Sequence, residues 1–345
     1  MENIGNTSLT RDTRGAGGAG CTRDSRGTRH IRSAGRLRRG TAGRNTTLAL
    51  TAMVLPGALW LILFRYAPLF GVLISFKDFK LPNPRHGILE DILSREWVGL
   101  NNFRVLFGNP MTLNVIRNTL IYNIIFIILG IAVAVTFAIM LNEITGRYIA
   151  KAYQTAMFFP YFLSWIVVSY FLWAFISPKN GVLDASLFGL RDFYQQTEPW
   201  PFIIIVSYIW KMTGYSCLIY LAAITGINST LYEAASVDGA TKWEQIKHIT
   251  LPHLKPIIII LFIMNVGRIF NADFGQFWSL PIEGGSGSVP TVTAVVDTYV
   301  YSLLRTSVNV GQSTAVGLFQ NLVGFACVMV ANTVVRKLDR ESAMF

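Results

Sequence analysis

Long charge-free blocks alternate with short polar ones along the 345 residues. The blocks cover 45–64 (continuing past Arg65 to about 76), 118–141, 152–177, 199–227, 256–274 and 306–335. At 1.5 Å of rise per residue, each is long enough for a helix that crosses a hydrocarbon core of about 30 Å. The pattern predicts an all-α membrane protein with six transmembrane helices. Only Lys211 interrupts the fourth block, and Arg268 and Asp273 lie near the far end of the fifth. A charge at such a depth is costly and must face protein or water. Small residues recur at four-residue spacing in the second block (Gly130, Ala134, Ala138), and Ala222 and Gly226 end the fourth. This spacing lets helix backbones approach closely and points to a packed bundle.

Composition agrees with the pattern. Hydrophobic residues make up 52 % of the chain and charged ones only 14 %, against roughly a quarter charged in an ordinary soluble domain. This argues against a secreted domain, a disordered chain and a cytosolic enzyme. Cys21, Cys217 and Cys327 are too widely spaced for a disulfide framework or a zinc site, and the four histidines are scattered. The net charge of +11 is uneven: ten arginines and three acids in residues 1–45 contribute +7. That Gly-, Thr- and Ser-rich tail is expected to be disordered. It could bind nucleic acid, serve as the basic end of a signal peptide, or hold the N-terminus in the cytoplasm. The apolar block that follows at once favours the third reading and no nucleic-acid partner. Six crossings then place both termini in the cytoplasm. Eighteen basic residues fall on the expected cytoplasmic side and eight outside, and without the tail the two sides are equal.

The segment 228–253, between the fourth and fifth blocks, is too polar for lipid yet carries helix signals. Thr230 to Glu233 and Thr241 to Glu244 both read as capping boxes. Asp238-Gly239 reads as a turn, and Pro252 is expected to end the second helix and push Leu251 out of the α region. Trp243, Ile246 and Ile249 share one face that could seat the pair on the bundle. Two short helices with a glycine joint and a surface kept low by Ala234, Ala235 and Ala240 suit insertion into a protein cleft. The alternative is an amphipathic hairpin lying on lipid, which the mixture of acids and bases disfavours.

Glu233-Ala234-Ala235, Asp238-Gly239-Ala240 and Ile249-Thr250-Leu251-Pro252 resemble, element by element, the EAA loop of ABC-importer permeases, in the form found in sugar and oligosaccharide permeases. Tyr66-Ala-Pro68-Leu-Phe-Gly71, Ser75-Phe76-Lys77-Asp78-Phe79, Trp97-Val-Gly-Leu-Asn-Asn-Phe103 and Ile269-Phe-Asn-Ala-Asp-Phe-Gly-Gln276 resemble the oligosaccharide and polysaccharide subgroup. The likeness covers roughly 48–340. The arginine-rich tail departs from it, as does Ile246, where the family usually has an aromatic.

The resemblance implies a type I ABC importer permease in the bacterial plasma (inner) membrane. Its expected organisation is a basic tail (1–45), a first helix (46–76), an extracytoplasmic loop (77–111), a permease core (112–336) holding the coupling loop 228–253, and a C-terminal tail (337–345). Implied partners are a second, related permease chain, commonly a different one, two ATPase subunits, an external solute-binding protein, a saccharide and membrane lipid. The chain has no GxxxxGK[ST] phosphate loop, so ATP and magnesium belong to the partner ATPase and this chain binds no cofactor or metal. Glu233, Ala234, Ala235, Asp238, Gly239 and Ala240, with Leu251 and Pro252, would form the loop seated in an ATPase cleft, Glu233 meeting a basic residue there and Gly239 giving a turn that a side chain would obstruct.

A sugar path needs hydrogen-bonding groups inside the bundle. Asn265, Arg268, Asn271 and Asp273 in the fifth block and Gln320 and Asn321 in the sixth qualify, as do Asn118, Tyr122, Asn123 and Lys211. For an acidic oligosaccharide, Arg268 and Lys211 are the natural cations. Equally, Arg268 can pair with Asp273, and an asparagine can simply tie two helices together. The Gly-Ser stretch at 284–288 reads as a flexible outer loop. A permease of the same fold for a peptide, amino acid or ion is the main alternative. An intramembrane enzyme lacks its HExxH, GxSxG or paired catalytic groups, and a stand-alone carrier leaves the docking loop unexplained.

Overall fold

The computed structural model describes residues 42–80, 87–108, 110–177, 193–194, 196–282 and 289–338. Most of the basic tail, the 284–288 stretch and residues 339–345 lie outside the described residues. Five helical runs are long and apolar enough to cross a membrane, and six if one bent pair counts as a single span. Among the described residues the only β contact is an isolated bridge between Lys77 and Trp97.

The chain divides into two compact units, with the boundary after Phe64. The first contains α1 (Ala42–Leu61). Its Leu48, Met53, Val54 and Leu59 are all exposed, as suits a helix surrounded by lipid.

The second unit carries the bundle. Its first element, the 3-10 segment Ala67–Phe76, packs on the last long helix, Val310–Leu338. The segment after it is built, not slack: Lys77 Nζ donates to the carbonyls of Leu93 (2.8 Å) and Arg95 (3.1 Å), and Asn102 donates to those of Ser75 and Lys77. The centre is α2 (Pro110–Asn142) against α5 (Trp200–Thr225). Ala134 and Ala138, fully buried, meet Cys217, Tyr220 and Ile224 there, the close approach that the small-residue spacing predicts. A second close crossing has no such forewarning. A Cβ on Gly214 would lie 2.0 Å from the Met157 carbonyl oxygen, so only glycine lets α3 (Arg147–Phe162) rest on α5.

Three expectations are corrected. The straight third span is broken: α3 meets α4 (Trp165–Ile176) at 99°. Pro160 lies in the last turn of α3, and Ser164 starts α4 afresh by accepting the Val167 N–H. Next, Pro252 ends nothing. One helix, α7, runs Lys242–Val266 through it, and Leu251 is α-helical at φ −62°, ψ −42°. A π turn over Ile246–Thr250 precedes the proline. Its wider pairing admits a ring and a missing N–H that a regular turn resists. Finally, α7 stops at Val266, well short of 274. Arg268, Asn271 and Asp273 therefore lie on the turn between α7 and a short helix, α8 (Phe274–Ser279), and not inside a spanning helix. A seven-residue helix, α9 (Val296–Ser302), leads to α10 (Val310–Leu338).

Candidate coupling elbow and polar interior

The polar segment between α5 and α7 folds as a rigid elbow. Its first arm is α6 (Ser229–Val237). The Asn228 carboxamide caps it by accepting the Thr230 N–H at 3.0 Å. This replaces the expected Thr230–Glu233 box: the helix begins two residues earlier, Thr230 is already inside it, and Glu233 is left exposed. The arm ends in a Schellman motif, with Ala240 N–H bonded to the Ala235 carbonyl (2.9 Å) and Gly239 N–H to that of Ser236 (3.1 Å). Gly239 stands at φ +83°, with open space where a Cβ would be. Glycine is needed for its left-handed backbone, not for room against the rest of this chain.

The second arm starts with the capping box read from the sequence. Glu244 N–H donates to Thr241 Oγ1 (3.4 Å), and Glu244 Oε2 accepts from Thr241 N–H (2.7 Å). The backbone N–H and then the hydroxyl of Thr241 hold the Glu244 carboxyl below its usual range. Between the arms, buried Gln245 donates to Ser236 Oγ (2.9 Å), and Tyr232 OH meets Thr250 Oγ1 at 2.9 Å. Lys242 pairs with Glu143, just past the end of α2, at 3.1 Å. The expected apolar seat is corrected: Trp243 is 69 % exposed and Ile246 and Ile249 are half-buried, while the polar Gln245 and Thr250 face inward. The π turn rotates the face that follows it. The protruding surface thus comprises Glu233, Ala234, Val237, Asp238, Gly239 and Trp243, with Ala235 and Ala240 half-buried at its base and Leu251 and Pro252 exposed where the elbow joins α7.

The interior polar candidates separate into two groups. One group locks the bundle. Lys211, 5 % exposed, donates to the carbonyls of Pro160, Tyr161 and Leu163, and its ammonium lies 5.3 Å from the Trp165 ring and 5.7 Å from that of Tyr161. All three of its N–H donors serve carbonyls at the α3–α4 break, of which that of Pro160 also accepts the Leu163 N–H at 3.2 Å. Asn118 donates to the carbonyls of Thr291 and Ala294, and Tyr122 to that of Val292. Asn123 holds the turn after α7 through the carbonyls of Ile269 (2.9 Å) and Asn271 (3.3 Å). Gln320 holds the same turn through Phe270 (2.8 Å) and reaches Asp297 Oδ2 at 3.4 Å.

Asp297, overlooked in the sequence, also accepts the Ala272 N–H at 2.7 Å. Burial raises its pKa, which these hydrogen bonds partly offset. A carboxylate within the apolar run 289–300 was the available signal. Asp273 accepts from the Trp165 indole at 2.6 Å and caps α8 through Gly275 and Gln276.

The other group stays open. Arg268 makes no ion pair with Asp273 among the described residues. Among those residues its side chain makes one hydrogen bond, a long one of 3.4 Å, to the half-buried Asn265. Arg268, Asn271 and Asn321 are exposed, and Asn321 bonds only to the Gly317 carbonyl on its own helix.

Comparison with known proteins places this architecture. The family described as binding-protein-dependent transport system inner membrane component matches residues 126–334. The polygalacturonan/rhamnogalacturonan transport system permease protein YteP of Bacillus subtilis is 34 % identical over 85 % of this chain and 89 % of its own. Protein LplB of the same organism is 33 % identical over 85 % and 90 %. A crystal structure of a bacterial ABC transporter involved in import of the acidic polysaccharide alginate superposes with TM-score 0.74 at 32 % identity, over 86 % of this chain and 98 % of that one. A second, also at TM-score 0.74, holds that transporter with an alginate pentasaccharide-bound periplasmic protein. This chain therefore belongs to the family of inner-membrane components of binding-protein-dependent transport systems: it is a multi-pass ABC-importer permease, a transport subunit and not an enzyme.

Proposed function

We propose that the chain forms one half of the membrane pathway of an ATP-driven importer for an acidic oligosaccharide. It sits in the bacterial plasma membrane with both termini in the cytoplasm and pairs with a second, related permease chain. An external solute-binding protein delivers the sugar, and two ATPase subunits hold ATP and magnesium. The observation that carries the reading is the elbow. Two capped helices, stapled at Gln245 and Tyr232 and joined through a left-handed glycine, present an exposed knob that the bundle itself does not use. A rigid knob transmits displacement, where a slack loop absorbs it. When ATP closes the ATPase pair, the elbow carries α5 and α7 with it. The loaded binding protein and the nucleotide then favour different bundle states, as directional transport requires.

Glu233 offers the charge for a basic ATPase residue, and Ala234, Ala235, Asp238, Gly239 and Ala240 offer a low surface, with Leu251 and Pro252 at the joint to α7. The acidic character of the substrate is supported by Arg268, exposed and without a carboxylate partner among the described residues, and by the acidic polysaccharides named for the similar transporters. Asn265, Asn271 and Asn321 are its polar companions.

Gly239→Asp tests the elbow. Its side chain strains a φ of +83°, at about 1 kcal/mol or more, and adds a charge to the knob. Membrane insertion should persist while uptake and co-purification with an ATPase both fail. Full uptake in this variant would refute the assignment.

A further inference from the structure

A cleft of about 320 Å³ opens between the first halves of α2 and α5, away from the elbow. Arg117 and Asn114 stand at its rim, and Ile121, Ile125, Ile205 and Val292 form its walls. The cleft is amphipathic along one direction. Arg117, Ile121 and Ile125 follow at four-residue intervals on one face of α2, so a cation leads into an aliphatic track about 12 Å long. The Arg117 side chain is exposed and has no ion pair or hydrogen bond among the described residues.

Its depth identifies the surroundings. No charged residue lies between Arg117 and Glu143, a separation of about 39 Å along the helix. A bilayer with its headgroups is about 40–45 Å thick. Arg117 therefore stands at headgroup level and Ile121 and Ile125 one and two turns below, in hydrocarbon. The floor of the cleft has little to offer a sugar. Asn118 gives its amide hydrogens to the carbonyls of Thr291 and Ala294, and the Tyr122 hydroxyl donates to that of Val292. A saccharide would leave its hydroxyls against isoleucine, whereas an acyl chain fits there.

We infer that this cleft is a site for one anionic membrane phospholipid, its phosphate on Arg117 and Asn114 and one acyl chain along Ile121, Ile125 and Ile205. The lipid fills the seam between the two helices that form the bundle's centre, so it acts as a structural ligand of the permease. Both headgroups offer Arg117 a phosphate, but the zwitterionic one also brings a choline cation beside the guanidinium, and this repulsion favours the anionic headgroup by about tenfold.

The test uses the assembled importer, delipidated in detergent and titrated with phosphatidylglycerol or phosphatidylcholine of identical chains. Bound lipid is counted by native mass spectrometry, and the thermal midpoint is followed. Phosphatidylglycerol should bind about tenfold more tightly and raise the midpoint further. Arg117→Gln should reduce this preference to near equality, and Arg117→Lys should keep most of it. Ile205→Phe, which narrows the track and leaves the charge, should weaken both lipids. Lipid-free midpoints matching wild type identify the variants as folded. A preference unchanged in Arg117→Gln would overturn the site. So would an Arg117-dependent rise produced equally by inorganic phosphate or by a galacturonate oligosaccharide.

Discussion

An ammonium inside an apolar helix must find acceptors, and Lys211 finds three at one place. Where α3 gives way to α4, the chain turns by 99°, and of the Pro160, Tyr161 and Leu163 carbonyls only that of Pro160 keeps a bond within the turn, from the Leu163 N–H. Lys211 reaches across from α5 and bonds all three, with the Tyr161 and Trp165 rings 5.7 and 5.3 Å from its ammonium. The same residue is a plausible substrate cation in the sequence and a helix-end cap in the fold. Lys211→Met should keep the volume and lose the cap, leaving carbonyls buried and unpaired. About 2 kcal/mol of stability should be lost, seen as a lower thermal midpoint of the purified complex, and uptake should fall with it. An unchanged midpoint would mean that water replaces the ammonium.

Among the elements, the elbow is the most completely specified by local chemistry. Thr241 and Glu244 form their box as the spacing predicts, and Asp238-Gly239 makes its turn. Local rules erred where a better local rule competed. Asn228 lies two residues ahead of Thr230 and captures the first helix start, and the π turn before Pro252 lets α7 continue. The second arm carries a pH dependence of known sign. Thr241 depresses the Glu244 pKa in the folded elbow, from an ordinary value of 4.5. Such a group stabilises fully above the ordinary value, and the contribution is lost as pH falls through the depressed one. Amide exchange over 241–250, corrected for intrinsic rate, should therefore accelerate as pH falls below that ordinary value. Glu244→Gln should exchange faster at neutral pH and lose that transition. Equal protection in the two proteins would remove the box from the elbow's stability.

For the whole molecule, the open question is which polar groups meet substrate. Of the candidates, Asn123, Gln320, Tyr122 and Lys211 are committed to backbone carbonyls, while Arg268, Asn271 and Asn321 remain presented. If the substrate is acidic, as proposed, Arg268 is the residue to select its charge. Arg268→Gln should lower uptake of an oligogalacturonate about tenfold, the worth of one charge-assisted contact, and leave a neutral oligosaccharide of equal length nearly unaffected. Equal losses in competition uptake assays would assign Arg268 a structural role instead.

The apolar helices, the polar elbow and the close α2–α5 approach were legible because each follows from neighbours in sequence: hydropathy over twenty residues, caps over four, small residues at every fourth position. The break at Ser164, the end of α7 at Val266, the Gly214 crossing and the task of Lys211 were not. Each depends on an atom from a distant part of the chain: the Met157 carbonyl against Gly214, the ammonium of α5 on the carbonyls of α3, Asn123 and Gln320 on the turn after α7. Within a membrane every backbone group must be satisfied by protein. An irregular turn can therefore exist only where tertiary packing delivers its partner. Local sequence determined the helices, and tertiary packing alone decided where they could break.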